Sequence, residues 1–139
     1  MILLDTSGLL AAIDASQRHH SAAAAALAGA ETPLILSPFV LAELHYLLAT
    51  RVGQDAELAL LGEVARGAYQ LAPFDQADVA AATVILERYR DLALGLADAS
   101  VVVLADRLGT TDVLTSDERH FRALRTTGGH AFRLLPGDA

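Results

Sequence analysis

What most constrains the fold of this chain is an alternation of very short apolar runs with longer stretches of helical period. Ile2-Leu3-Leu4 is cut off at once by an acid, Asp5. The same brevity recurs at Leu34-Ile35-Leu36 after Pro33, at Tyr69 to Leu71, at Val113-Leu114 and at Phe132 to Leu135. The runs Ile2-Leu3-Leu4, Leu34-Ile35-Leu36 and Val113-Leu114, without polar alternation, suit strands covered on both faces, and the other two read as further strands. The segments between them predict helices over Thr6 to Ile13, Ser16 to Ala28, Asp55 to Arg66, Asp75 to Arg90, Leu96 to Leu108 and Glu118 to Leu124. The Ala22–Ala26 run belongs to the second of these, because alanine is the strongest helix former. Ser37-Pro38 opens a further helix, with serine as N-cap and proline at the first helical position, and it runs to about Arg51, ahead of Gly53. Strands alternating with helices imply a parallel sheet. The expectation is a single three-layer α/β/α domain over residues 1–139, with a central, mostly parallel sheet of about five strands.

Composition narrows the chemistry. All ten basic residues are arginine, and the chain has neither lysine nor cysteine. That excludes P-loop phosphate binding, Schiff bases, disulfides, thiolate metal sites and cysteine nucleophiles. The mean hydropathy of +0.39 invites a membrane reading, but a spanning helix needs about 18 consecutive apolar residues and the apolar runs here are short. Asp5 also interrupts the N-terminal segment where a leader would carry its basic and apolar regions, so a cytoplasmic protein is expected. The net charge of −7 is unevenly spread. Residues 1–118 hold six arginines and sixteen acids, a net of −10; residues 119–139 hold four arginines and one acid, a net of +3. A basic end on an acidic body points toward an anionic ligand near that end.

In an open α/β sheet, ligands lie beyond the carboxyl ends of the strands. The first strand ends in Asp5-Thr6-Ser7 and the fourth in Thr115-Ser116-Asp117, so both bring an acid and hydroxyls to one edge. Asp112 precedes its strand and belongs to the opposite edge. Two more acids stand out. Glu43 falls at i+3 and i−4 spacing within the stripe Val40, Leu44, Leu47, and Asp98 opens a helix whose next turns are almost wholly apolar. A carboxylate in such surroundings needs a cation, a partner or a proton. Several converging from different elements suit a hard divalent cation. Each also has a plainer role open to it: Asp5, Asp98 and Asp117 could cap helices, and Glu43 could pair with an arginine or lean into water. The histidines show no HExxH or equivalent spacing. His19-His20 lie in a polar stretch, and His45 and Glu43 do not share a helix face. Arg119, His120 and Arg122, just after Asp117, are candidates for phosphate contacts.

These pieces resemble the PIN-domain family, and within it the small VapC-type toxins of bacterial toxin–antitoxin pairs. The resemblance rests on Ile2-Leu3-Leu4-Asp5-Thr6-Ser7, Ser37-Pro38-Phe39-Val40-Leu41-Ala42-Glu43-Leu44, Leu94-Gly95-Leu96-Ala97-Asp98-Ala99-Ser100 and Leu114-Thr115-Ser116-Asp117-Glu118-Arg119-His120-Phe121, in that order across essentially the whole chain. It implies a PIN-like α/β/α fold and an acidic cluster of Asp5, Glu43, Asp98 and Asp117, with Thr6, Ser7 or Thr115 in support. It further implies a Mg²⁺- or Mn²⁺-dependent endoribonuclease that hydrolyses structured RNA, tRNA or rRNA, leaving 5′-phosphate and 3′-hydroxyl ends. Asp5, Asp98 and Asp117 would ligate metal directly or through water, and Glu43 would hold a metal-bound water or a second ion. A cognate VapB-type antitoxin is the implied partner, its C-terminal segment lying across the acidic groove. Apolar helix faces at Val79 to Leu86 and Val101 to Leu104 suit a homodimer.

Rival functions place an acid after the first strand as well. Receiver domains and haloacid-dehalogenase-type phosphatases both rely on a lysine, and the latter also needs an aspartate where this chain has Ser7. A catalytically silent PIN-like module that binds RNA or protein is the remaining alternative.

Overall fold

The computed structural model describes residues 1–139. Its sheet contains β1 (Ile2–Leu4), β2 (Leu34–Leu36), β3 (Gln70–Leu71), β4 (Asp112–Leu114) and β5 (Arg133–Leu135), in the order β3-β2-β1-β4-β5. Every neighbouring pair is parallel, so the sheet is wholly and not just mostly parallel. Leu4 pairs with both Leu36 and Leu114, which brings the carboxyl ends of the three central strands level. Ile2, Leu3, Leu4, Ile35, Leu36, Val113, Leu114 and Leu134 are all buried. Cover on both faces is why these strands read as unbroken apolar runs.

Around the sheet lie α1 (Thr6–Ile13), α2 (His20–Gly29), α3 (Pro38–Arg51), α4 (Gln54–Ala65), α5 (Gln76–Arg88), α6 (Leu96–Leu108) and α7 (Glu118–Ala123), with a 3₁₀ turn at Arg90–Leu92. This is the expected α/β/α arrangement. α3 starts as its sequence predicts, with Ser37 Oγ accepting the Phe39 N–H at 3.1 Å and Pro38 at the first position. α6 closes on Gly109, whose φ of 70° is the left-handed conformation that glycine adopts without strain. No helix is long and apolar enough to cross a membrane.

Three expectations need correction. α2 begins at His20 and not at Ser16. The Asp14 side chain accepts from the Ser16 N–H at 3.0 Å, from Ser16 Oγ at 2.8 Å and from Gln17 Nε2 at 3.2 Å, and such a turn competes with helix. β3 is an exposed edge of two residues, with Tyr69 outside it as a buried anchor. Val101 to Leu104 are fully consumed by the core, at 1–5% exposure, and leave no surplus apolar face. On α5, Val79 and Val84 do remain exposed.

One close approach sets the geometry of the sheet's carboxyl edge. A Cβ on Gly8 would stand 2.3 Å from the Leu114 carbonyl oxygen, so only glycine lets the start of α1 rest on the end of β4. The Asp5 N–H donates to that same carbonyl at 3.0 Å. Residues 5–7 and 115–117 are thereby fixed side by side.

Candidate active site

The chain leaves β1 toward β2 and leaves β4 toward β5, so strand order reverses between β1 and β4. A crevice at the carboxyl ends is expected at such a point. A cleft of about 300 Å³ opens there, lined by Asp5, Glu43, Asp98 and Asp117 among others. The four acids arrive from four places: the end of β1, the body of α3, the first turn of α6 and the loop after β4.

Asp5 lies deepest, at 2% exposure. It occupies the N-cap position of α1 but makes no side-chain capping bond, which removes the plainer role considered for it. Its Oδ2 instead accepts from Ser7 Oγ and from Thr115 Oγ1, each at 2.7 Å. Ser7 Oγ also accepts the Ser116 N–H at 3.1 Å, and Thr115 Oγ1 accepts the Asp117 N–H at 2.9 Å. Each hydroxyl has one hydrogen, and both are spent on Oδ2. Oδ1 is left without a protein partner. Burial pushes the Asp5 carboxyl up to about 6; the Ser7 and Thr115 hydrogen bonds pull it down, and Asp98 and Asp117 add to the rise.

Asp98 and Asp117 each combine a helix-end role with a place in the cleft. Asp98 Oδ2 accepts the Gly95 N–H at 3.3 Å at the start of α6. Burial raises its pKa; the Gly95 bond opposes the rise, Asp117 and Glu43 reinforce it and His120 lowers it. Asp117 Oδ1 caps α7 by accepting the His120 N–H at 3.1 Å. His120 Nδ1 stands 2.9 Å from Asp117 Oδ2 and 3.9 Å from Asp98 Oδ2. It is sealed from solvent, yet its alignment makes no hydrogen bond.

Glu43 differs from expectation. The buried line of α3 is Val40, Leu44 and Leu48, an i, i+4, i+8 ridge, and Glu43 stands beside it in the open. It pairs with no arginine and lines the cleft with Leu47 and Arg51. Asp112 lies at the opposite sheet edge, 3.2 Å from Arg133. His45 is paired with Glu57 at 2.7 Å, and His20 Nδ1 sits 2.8 Å from the Ala11 carbonyl.

The residues suggested for phosphate contacts separate. Arg119 is exposed on α7 and unpaired. His120 is inside the acidic cleft itself. Arg122 is committed elsewhere: its guanidinium grips Asp138 through both nitrogens at 2.7 and 2.8 Å and Glu118 at 2.7 Å. Arg125 bonds the carbonyls of Arg122 and Leu124. The basic C-terminal end is therefore largely spent inside the fold. Sequence reasoning missed Arg51, Gln17 and Gly8; only Gly8 carried a local signal, a glycine inside a predicted helix.

Four carboxylates with hydroxyls nearby form a hard oxygen donor set of the kind Mg²⁺ or Mn²⁺ takes. Two buried polar atoms at this cleft, Thr6 Oγ1 and His120 Nδ1, find no hydrogen-bond partner within the chain. Unpartnered buried groups are costly, and the water shell of a bound cation would offer them partners. No three acidic or imidazole groups close on a single point as they stand, so an ion here would be held in part through its own water, as Mg²⁺ commonly is.

Comparison with known proteins agrees with this geometry. The PIN domain family model matches residues 2–126. Ribonuclease VapC26 of Mycobacterium tuberculosis is 48% identical over 135 residues, covering 97% of this chain and all of that protein. Among solved structures, VapC20 of Mycobacterium tuberculosis, a sarcin-ricin loop cleaving toxin, superposes with a TM-score of 0.79 at 22% identity, over 84% of this chain and 90% of its own. FitAcB from Neisseria gonorrhoeae gives 0.61 at 23% identity, over 85% and 88%. FitAB bound to a DNA fragment, IR36, gives 0.65 at 20%, over 96% and 94%. The chain belongs to the PIN-domain family, among its VapC-type members.

Proposed function

We propose that this protein is a Mg²⁺- or Mn²⁺-dependent endoribonuclease and the toxin of a toxin–antitoxin pair, cutting a structured RNA such as a tRNA or rRNA loop in the cytoplasm. The observation that carries the reading is the convergence of Asp5, Glu43, Asp98 and Asp117 on one cleft at the switch point of the sheet. The similarity to Ribonuclease VapC26 over nearly the full chain supports the ribonuclease activity. The sarcin-ricin loop cleavage of VapC20 supports a structured RNA as the target class.

When bound, the divalent cation supplies the positive charge that makes water nucleophilic and stabilises the departing oxygen. Asp5, Asp98 and Asp117 would hold it. Ser7 and Thr115 lock Asp5 in one orientation, so that Oδ1 alone faces outward. Asp117 is fixed by its cap on α7 and by the His120 ring against it. Glu43, the one exposed member of the four, is placed to orient the attacking water. Water then adds to phosphorus in line, the bond to O3′ breaks, and the products are a 5′-phosphate and a 3′-hydroxyl. The four carboxylates repel RNA until the cation is present, which makes binding as well as chemistry metal-dependent.

A VapB-type antitoxin is the proposed partner, supported by the similarity to Ribonuclease VapC26 and to the FitAB structure. A homodimer, formed in part over exposed Val79 and Val84, is proposed as the working assembly.

The test is cleavage of end-labelled tRNA and rRNA fragments with Mg²⁺, with Mn²⁺ and with chelator. Wild type should cut only with metal, and Asp98→Asn and Glu43→Gln should each lose at least about a hundredfold, in the range seen when a catalytic polar group is removed. If wild type binds these RNAs in Mg²⁺ and Mn²⁺ without cutting them, the silent-module alternative holds instead.

A further inference from the structure

We infer that Arg51 binds a backbone phosphate of the RNA next to the one that is cut, making its end of the α3 ridge an anion subsite of the acidic cleft. The inference rests on the nuclease reading for its substrate. Arg51 is the only arginine lining the cleft. It shares that cleft with four carboxylates yet pairs with none, and its guanidinium makes no hydrogen bond within the chain. Other arginines near acids behave differently: Arg107 grips Asp78, Arg122 grips Glu118 and Asp138, and Arg133 meets Asp112. An uncommitted guanidinium beside an excess of negative charge is a group held for an anion that arrives later.

Its position follows from α3. Glu43, Leu47 and Arg51 lie at i, i+4 and i+8, one ridge of the helix facing the cleft. Eight residues of helix span about 12 Å. Glu43 and Arg51 therefore address different points of an extended strand, with Leu47 as an apolar spacer between them. The lining also includes Gln17, whose Nε2 donates to Asp14 at 3.2 Å. The charge balance agrees as well. Once the carboxylates are matched by a dication, an incoming polyanion needs further positive charge in the cleft, and Arg51 supplies it. Guanidinium also matches phosphate geometry better than a point charge does.

The experiment compares wild type, Arg51→Ala, Arg51→Lys and, as a charge control outside the cleft, Arg66→Ala, by steady-state RNA cleavage at saturating Mg²⁺ over a series of salt concentrations. Arg51→Ala should raise KM about tenfold with kcat changed less than about threefold, because a single charge-assisted contact is lost. The slope of log KM against log salt should fall by about 0.7, the contribution of one phosphate on a single strand. Arg51→Lys should restore the slope while recovering only part of the affinity, and Arg66→Ala should match wild type. An unchanged KM and slope for Arg51→Ala, or an equal effect from Arg66→Ala, overturns the inference. A fall in kcat at constant KM overturns it too. If wild type cuts no RNA, the nuclease reading fails on its own. The same salt slope, read from the Kd of labelled single-stranded RNA in Mg²⁺, then decides Arg51 separately.

Discussion

Replacing Asp5 by asparagine should make the protein more stable and inactive at once. Asp5 is 2% exposed, and burial lifts its carboxyl from the ordinary 3.8 to about 6. At 1.36 kcal/mol for each tenfold change in proton affinity, keeping it ionised costs the fold on the order of 3 kcal/mol. The folded protein holds this proton more tightly than the unfolded chain does. Stability therefore falls as pH rises from about 4 to about 6, and above that the whole cost stands. The asparagine of Asp5→Asn would keep the shape and accept the Ser7 and Thr115 hydrogen bonds, with its NH₂ where Oδ1 faces the cleft. Some of the gain is lost to that amide, so a net of about 1–2 kcal/mol, or roughly 3–7 °C in Tm, is expected at pH 8 in chelator. Thermal unfolding followed by circular dichroism at several pH values between 4 and 8 reads this directly. The advantage should shrink to nothing near pH 4, and added Mg²⁺ should raise the wild-type Tm but not that of the variant. A variant less stable than wild type at pH 8, or an advantage independent of pH, would refute the claim that burial strains this carboxylate.

The remaining predictions concern the supports of the site. Gly8→Ala should cost about 1–3 kcal/mol in urea unfolding, since its Cβ would meet the Leu114 carbonyl at 2.3 Å; cleavage should fall with it as Ser7 and Thr115 are forced apart. Ser100→Ala should cost about 1–2 kcal/mol by the same assay. Ser100 Oγ gives its hydrogen to the Ala97 carbonyl at 2.6 Å and receives that of Ser37 at 2.6 Å, a tie between the helices bearing Glu43 and Asp98. Acid should loosen the C-terminal clamp, because Arg122 holds the Asp138 carboxyl down at about 2. Its contribution is complete above about pH 4 and lost as pH falls through about 2. Asp138→Asn should remove that step from an acid titration followed by circular dichroism.

Much of the fold was legible because its central strands are buried on both faces and its helices carry explicit punctuation. Ser37-Pro38 marked the start of α3, and Gly109 the end of α6. The boundaries that slipped did so for side-chain reasons that no periodicity shows. Asp14 recruits Ser16 and Gln17 into a turn and delays α2. Gln70 and Leu71 form an exposed edge whose buried neighbours, Tyr69 and Ala72, fall just outside the strand. The acids of the cleft were legible through their apolar surroundings, most clearly Asp98 before a run that is almost entirely buried. Glu43 was found for a reason that does not hold: it borders the apolar ridge of α3 and is exposed. The cations were the least legible. Net charge along the chain pointed to the C-terminal arginines, but charge is spent by pairing in three dimensions. Arg122 and Arg133 meet acids, and Arg125 meets carbonyls. Arg51, from the acidic body, reaches the cleft free.

The hydrogen bond from Thr115 to Asp5 joins residues 110 positions apart, and it has a consequence for the protein while it is being made. Until β4 docks beside β1, Asp5 has neither its second hydroxyl partner nor the neighbouring Asp117. A growing chain that ends anywhere before β4 therefore carries three of the four acids at most, and no assembled cleft. At about 5–20 residues per second, synthesis from Asp5 to Asp117 takes about 6–22 s. Strand order alone thus delays completion of the cleft until nearly all of the polypeptide has emerged.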